Sequence, residues 1–223
     1  EYGAQAAINV NSPSGPTDFE ASLASLTGEL PECHSSVLVV SWFGSDLRCG
    51  HCDIAPKVEQ TQTDGDVMPW MVCSTDRASA GVVPKLDGRP VYGGTPADDA
   101  VVEAIKDLRA RDLHPMFYPF ILMEQMPDNG LSDPWTGDAD QPKLPWRGRI
   151  TTQKAPGQPG SPDGTNAAVS QVSDFMGDAQ PSDFAVVNGK VVYSGPPEWR
   201  YRRFILHYAY LCQAAGGVSA FCI

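Results

Sequence analysis

The chain has 223 residues, 42% of them hydrophobic and 19% charged, and a formal net charge of −11. This is a globular composition with enough apolar residues for a sizeable core. No apolar run reaches the ~20 residues that span a bilayer, and the acidic balance excludes the basic stripe that a nucleic-acid or anionic-lipid surface requires.

Residues 1–15 are small and polar and read as a connector. Leu23, Leu26 and Leu30, with Phe19 one turn earlier, fall at helical spacing and predict a helix near Thr17–Leu30. "SVLVVSWFG" (36–44) is β-branched and apolar at successive positions, the pattern of a parallel strand buried on both faces. Residues 45–66 are polar and read as loop, and "VMPWMVC" (67–73) is a second candidate strand, weakened by Pro69. Residues 93–125 are the clearest unit. Thr95 is the expected N-cap, Pro96 the first helical position, and Asp98 and Asp99 the acidic first turn. Val101, Val102, Ile105 and Leu108 form one apolar stripe, and "PMFYPFILM" follows as another two-sided strand. Pro119 inside it removes a ladder donor and predicts a local bulge or an end-of-barrel feature.

Residues 126–165 are rich in Pro, Gly and Asp, and so long a loop is functional or mobile. A short helix is expected at Thr165–Met176. "FAVVNGKVVYSG" places two β-branched arms around Asn188–Gly189, a type I′ hairpin over 184–194 inserted as a rim decoration. The last helix runs from about Pro197 to Ala215, with Tyr201, Phe204, Ile205, Tyr208, Leu211, Cys212 and Ala215 on one stripe. Gly216 and Gly217 stop it, and Val218–Ile223 reads as a strand. Arg200, Arg202 and Arg203 read as the solvated face of that helix rather than as a phosphate site. Helices alternating with buried strands predict an α/β fold. The chain starts without Met and stops on an apolar strand, so it reads as part of a longer protein. A (β/α)8 TIM barrel takes ~250 residues, and residues 36–223 supply about half its strands. The expectation is therefore the N-terminal half of such a barrel, preceded by the connector and first helix at 1–35.

Six cysteines are present. Cys212 and Cys222 read as buried free thiols. Cys33, Cys49, Cys52 and Cys73 admit three readings: a weak zinc site, since Cys-x2-Cys at 49–52 supplies half a tetrahedral set; one or two disulfides; or unpaired thiols. His34, His51, His114 and His207 have no metal-ligand spacing, and His207 among apolar neighbours reads as structural. No nucleophile elbow, phosphate loop or dinucleotide fingerprint is present, and no cofactor is expected.

The strings "GGTPADDAVVEAIKDLRARDLHPMFYPF", "WRGRI" (146–150) and "WRYRRFILHYAYLCQAAGGVSAFCI" (199–223), in this order, resemble the TIM-barrel-like domain of the tail-tip, host-specificity protein of gene transfer agents. The "WRG-I … Y-F---YA-LA" pattern is also similar to retaining β-mannanase-type glycosidases. The resemblance covers residues 37–223. It implies a tail-tip or baseplate location in a phage-like particle assembled in the bacterial cytoplasm and released. Other baseplate subunits and a cell-surface glycan would be its partners. In the glycosidase-like family the strand matching Val218–Ile223 continues to an acid/base glutamate, so that group and its nucleophile partner would lie beyond Ile223, and no catalytic residue is assigned. Barrels bind sugars on aromatic rings and polar groups at the C-terminal ends of their strands. The substrate-binding candidates are Trp42, Glu124, Trp135, Trp146 and Arg147, with "WRGRI" as the family's own contribution. Three functions follow: a glycan-contacting tail-tip module, an active retaining hydrolase of envelope polysaccharide, or an inert scaffold.

Overall fold

A computed structural model describes residues 10–11 and 17–223, so most of the predicted connector lies outside the described residues. Helix α1 (Asp18–Glu29) starts where the leucine spacing places it. Thr17 caps it with a reciprocal box: its hydroxyl accepts from the Glu20 N–H, and the Glu20 carboxylate accepts from the Thr17 N–H. Leu23 then packs on Leu108 and Leu113, tying α1 to the helix–strand unit that follows.

The centre is a sheet of order β12–β9–β1–β2, formed by β1 (Ser35–Gly44), β2 (Ile54–Ala55), β9 (His114–Met123) and β12 (Ala220–Phe221). β1 and β9 pair in parallel over ten positions, Ser35↔His114 through Gly44↔Met123, and β12 continues the parallel order beside Met116 and Phe117. Helices α2 (Asp98–Ala110) and α4 (Tyr201–Ala214) connect these strands, touch each other and cover the same face. Successive parallel neighbours with their helices on one side form a singly wound arrangement. β2 is antiparallel to β1. The rest of residues 57–90 forms paired two-residue strands: β3 (Lys57–Val58) with β6 (Gly81–Val82), β4 (Met71–Val72) with β5 (Thr75–Asp76), and β7 (Lys85–Leu86) with β8 (Arg89–Pro90). The expected strand at 67–73 is thus a fragment of a small hairpin, because the Pro69 nitrogen cannot donate to a longer ladder.

Pro119 causes no bulge; the β1–β9 register runs through it unbroken. In a parallel ladder successive residues point their backbone groups to alternate neighbours. The carbonyls of Pro115 and Phe117 accept from Ser219 and Cys222, so positions 115, 117 and 119 face β12. At 119 the ladder with β12 has already ended, and a missing N–H there costs nothing. Thr95 is not the N-cap of α2; Ala97 is, without a side-chain bond. The Thr95 hydroxyl donates instead to Ser41 O (2.8 Å) and accepts from Lys57 N, and the Trp70 indole donates to Thr95 O (2.6 Å). Thr95 therefore stitches the 45–92 excursion onto β1.

Helix α3 (Asn166–Met176) packs on the 3-10 turn Cys49–His51. β10 (Phe184–Val187) and β11 (Lys190–Tyr193) form the hairpin, with Asn188 and Gly189 both at positive φ, as type I′ geometry demands. Phe184 packs at a tilt against Tyr193 and stacks on Tyr210 of α4. The basic residues at α4 are only partly a solvated face. Arg202 is exposed and donates to Gly177 O, whereas Arg200 is half-buried and donates to Cys52 O, and Arg203 is 6% exposed where Cys73 and the hairpin close over it.

Candidate functional site

Alternation gives the sheet two chemically different faces. Leu38, Val40, Trp42, Phe117 and Ile121 point towards α2 and α4. Trp42 is wholly buried, packed against Phe204 and Tyr208, with its indole donating to the Tyr208 hydroxyl at 2.8 Å. It therefore offers no ring face to a sugar, and its candidacy as a binding residue is corrected to core packing. The opposite face carries Val37, Val39, Ser41, Met116, Tyr118 and Phe120. Val37 and Val39 are about half exposed, so β1 is not buried on both sides as its composition predicts.

Near the C-terminal end of that open face lies Arg147, on the 3-10 turn Arg147–Arg149. Its guanidinium sits 3.8 Å from the centre of the Phe120 ring, and its Nη2 donates to the Tyr118 hydroxyl at 2.7 Å. The neighbouring Trp146 is 68% exposed. Its ring lies against Gly148, where a Cβ would collide with it, so glycine lets the indole lie flat along the turn. Trp135 is at the exposed margin, its indole donating to Arg149 O at 2.8 Å, while Arg149 pairs with Asp133. "WRGRI" thus places one exposed ring and one stacked cation beside the sheet.

At the strand ends themselves, Glu124 follows β9 and its N–H bonds to Gly44 O. Its carboxylate pairs with Lys57 at 2.5 Å, both side chains being largely buried. They line a cleft of about 310 Å³ with Ser45, Gln125 and Asn129. Gln125 is almost wholly buried, and neither its side-chain N nor its O finds a partner. Buried polar groups without partners cost free energy, so this amide is available to a polar ligand or to water. Lys57 and Gln125 escape sequence reasoning because they carry no motif; position relative to a strand end is the signal they do carry.

The long segment 126–165 is tied down rather than loose. Asp46 accepts from Arg48 Nε and Nη2 and from Gln141 Nε2 (2.6 Å), while Gln141 Oε1 accepts from Leu47 N. Those hydrogen bonds hold the Asp46 carboxyl below its usual range against the opposing effect of burial. Asn129 adds bonds to Met126 O and Gln141 O.

Of the cysteines considered as a zinc or disulfide set, Cys49 and Cys52 share one 3-10 turn and Cys73 lies in the β4–β5 turn. None is in a disulfide, and among the described residues no group of three His, Cys, Asp or Glu side chains converges as a metal set. Cys49 donates to Gln171 O, Cys52 lies in the core with its thiol pushed up to about 12 by burial, and Cys73 contacts Arg203.

A mainly parallel sheet, helices on one face and a cleft at the strand ends define a mixed α/β protein, in which the described strands do not close into a barrel. Residues 199–223, which are helix α4 and strand β12 with their flanks, match the family described as the GTA TIM-barrel-like domain. That match supports a domain of gene-transfer-agent type. No curated protein matches the chain. No helix among the described residues is long and apolar enough to cross a membrane.

Proposed function

We propose that the chain is a glycan-contacting module of a gene-transfer-agent particle, the N-terminal part of a glycoside hydrolase-like TIM barrel set in the tail-tip baseplate among other baseplate subunits. The family match at 199–223 supports the particle. The observation that carries the contact is the pairing of an exposed Trp146 with the stacked Arg147 on the helix-free face of the sheet. An indole packs on the apolar face of a sugar ring, and a guanidinium held in place by Tyr118 and Phe120 donates to hydroxyls or carboxylates. Glu124 acts here as an orienter, since its carboxylate is already paired with Lys57. A retaining hydrolase needs two carboxylates ~5–5.5 Å apart, and cleavage of envelope polysaccharide is the alternative reading.

The test is co-sedimentation of the chain with recipient envelope polysaccharide, together with an assay for released reducing ends. Binding by the wild type that falls at least about tenfold in Trp146→Ala, the loss of one ~1.4 kcal/mol contact, supports glycan contact. Equal binding in both proteins would place the glycan contact away from Trp146, and no binding in either would leave the scaffold reading.

A further inference from the structure

Arg203 is a cation that folding removes from water. Its Nη1 donates to Glu198 O (2.7 Å), its Nη2 to Cys73 O (3.3 Å), and its Nε to the Cys73 sulfur (3.4 Å). The rings of Trp199 and Tyr193 flank it at 3.6 and 4.1 Å. Among the described residues no carboxylate lies within ion-pairing distance of it. A buried charge needs a counter-charge, and carbonyls and ring faces meet only part of that need. Of the groups hydrogen-bonded to this guanidinium, only the sulfur can become an anion.

The carboxylate that holds the Cys73 backbone is engaged with a different cation. Asp98 Oδ1 meets His207 Nε2 at 2.9 Å, with the imidazole wholly buried, and Asp98 Oδ2 accepts from the Cys73 N–H at 3.1 Å. The backbone supplies an independent sign. Cys73 and Ser74 join β4 to β5 with φ of 49° and 65°. Consecutive left-handed residues in a two-residue turn favour Asn-Gly, and side chains such as these persist there only where the surroundings hold them.

We propose that Cys73 is a resident thiolate, the counter-ion of Arg203 beside the Asp98–His207 pair, and that this buried four-charge cluster latches the 73–74 turn onto α2 and α4. Titration directions agree. Burial opposes ionisation of Cys73, yet the charges of His207 and Arg203 outweigh it and hold the thiol below its ordinary value. Cys212, buried without such neighbours, is pushed up to about 12. Burial likewise opposes protonation of His207, but Asp98 and Cys73 raise it to about 10. The other titratable groups near the cluster are Tyr208 and Cys212 on α4, Tyr193 on the hairpin and Glu198. Burial keeps both tyrosines and Cys212 neutral, and Glu198 accepts from the Asp178 and Ala179 N–H groups.

The test is the ultraviolet absorbance of the thiolate, read as wild type minus Cys73→Ser across pH. The expected difference is a thiolate already present below about pH 8.5, the range of an ordinary thiol, and lost only at lower pH. That signal should be lost in Arg203→Met and largely kept in Arg203→Lys. A difference that emerges only as pH rises through about 8.5, the range of an ordinary thiol, overturns the proposal, as does a thiolate signal unaffected by Arg203→Met. If circular dichroism shows that Cys73→Ser does not fold, the Cβ chemical shift of Cys73 in isotopically labelled wild type gives the same titration without a substitution.

Discussion

The two faces of one sheet follow opposite rules. On the face under α2 and α4, Trp42, Phe117, Phe204 and Tyr208 interlock with almost no exposure, and the Trp42 indole donates internally to the Tyr208 hydroxyl. On the other face Val37 and Val39 stay half open, and the aromatic residues Tyr118 and Phe120 are covered by a cation on a loop. The same strands build both, so the difference comes from what is laid across them. Helices turn one face into core, whereas the 126–165 segment turns the other into a surface with exposed chemistry.

Substitutions of matched residues across the sheet test this contrast. Trp42→Ala should cost ~3–5 kcal/mol by leaving a cavity and an unpaired Tyr208 hydroxyl, enough to abolish most of the stability of a domain this size. Trp146→Ala should change stability by less than ~0.5 kcal/mol while removing polysaccharide binding. Chemical denaturation of both variants checks the pair, and comparable losses would erase the distinction. A smaller effect is expected at Arg147: Arg147→Met keeps the stem over Phe120 but loses the cation, costing ~0.5–2 kcal/mol, and Arg147→Lys should restore only part of it.

The buried cluster behind the helix-covered face gives a pH signature. His207, raised in the fold, contributes stability below about pH 6.5 that is lost as pH rises towards about 10. Cys73, depressed, contributes above its ordinary value and loses that contribution as pH falls through its folded value. In the part of the range between about pH 6.5 and 8.5 that lies above the folded thiol's own midpoint, folding only transfers a proton from the thiol to the imidazole, so folded and unfolded chains bind equal numbers of protons at these two sites. The cluster's contribution to the urea midpoint should therefore be flat across that window and decline on both sides. Cys73→Ser should replace the plateau with a decline beginning near pH 6.5, at a slope of up to ~1.4 kcal/mol per pH unit.

Much of the architecture was legible from local pattern. The leucine spacing in α1, the apolar stripe of α2, the two long strands and the Asn188–Gly189 turn all sit where nearby residues dictate. What was not legible depends on partners distant in sequence. Pro119 is harmless because of where β12 stops, and Thr95 caps nothing because Ser41 and Lys57 claim its hydroxyl. Arg203 looks like a surface charge until the hairpin and Cys73, 130 positions away, close over it. At the candidate site, "WRGRI" pointed to Trp146 and Arg147, but the Lys57–Glu124 pair emerged only once β9 and the 45–92 excursion met. Trp42 shows the limit from the other side: a tryptophan near a strand end reads the same whether it faces ligand or helix.

The hydrogen bonds around Gln141 and Asn129 make residues 126–165 resistant in a way their composition conceals. Rich in proline, glycine and aspartate, the segment resembles a spacer that a protease would cut first. Limited digestion should spare it and nick elsewhere, at the exposed tip around Asn188–Gly189 or in the open stretch near Thr61–Asp66. In engineering terms, a fusion or inserted tag belongs at those two places, whereas a cut within 126–165 would dismantle a fixed wall of the molecule.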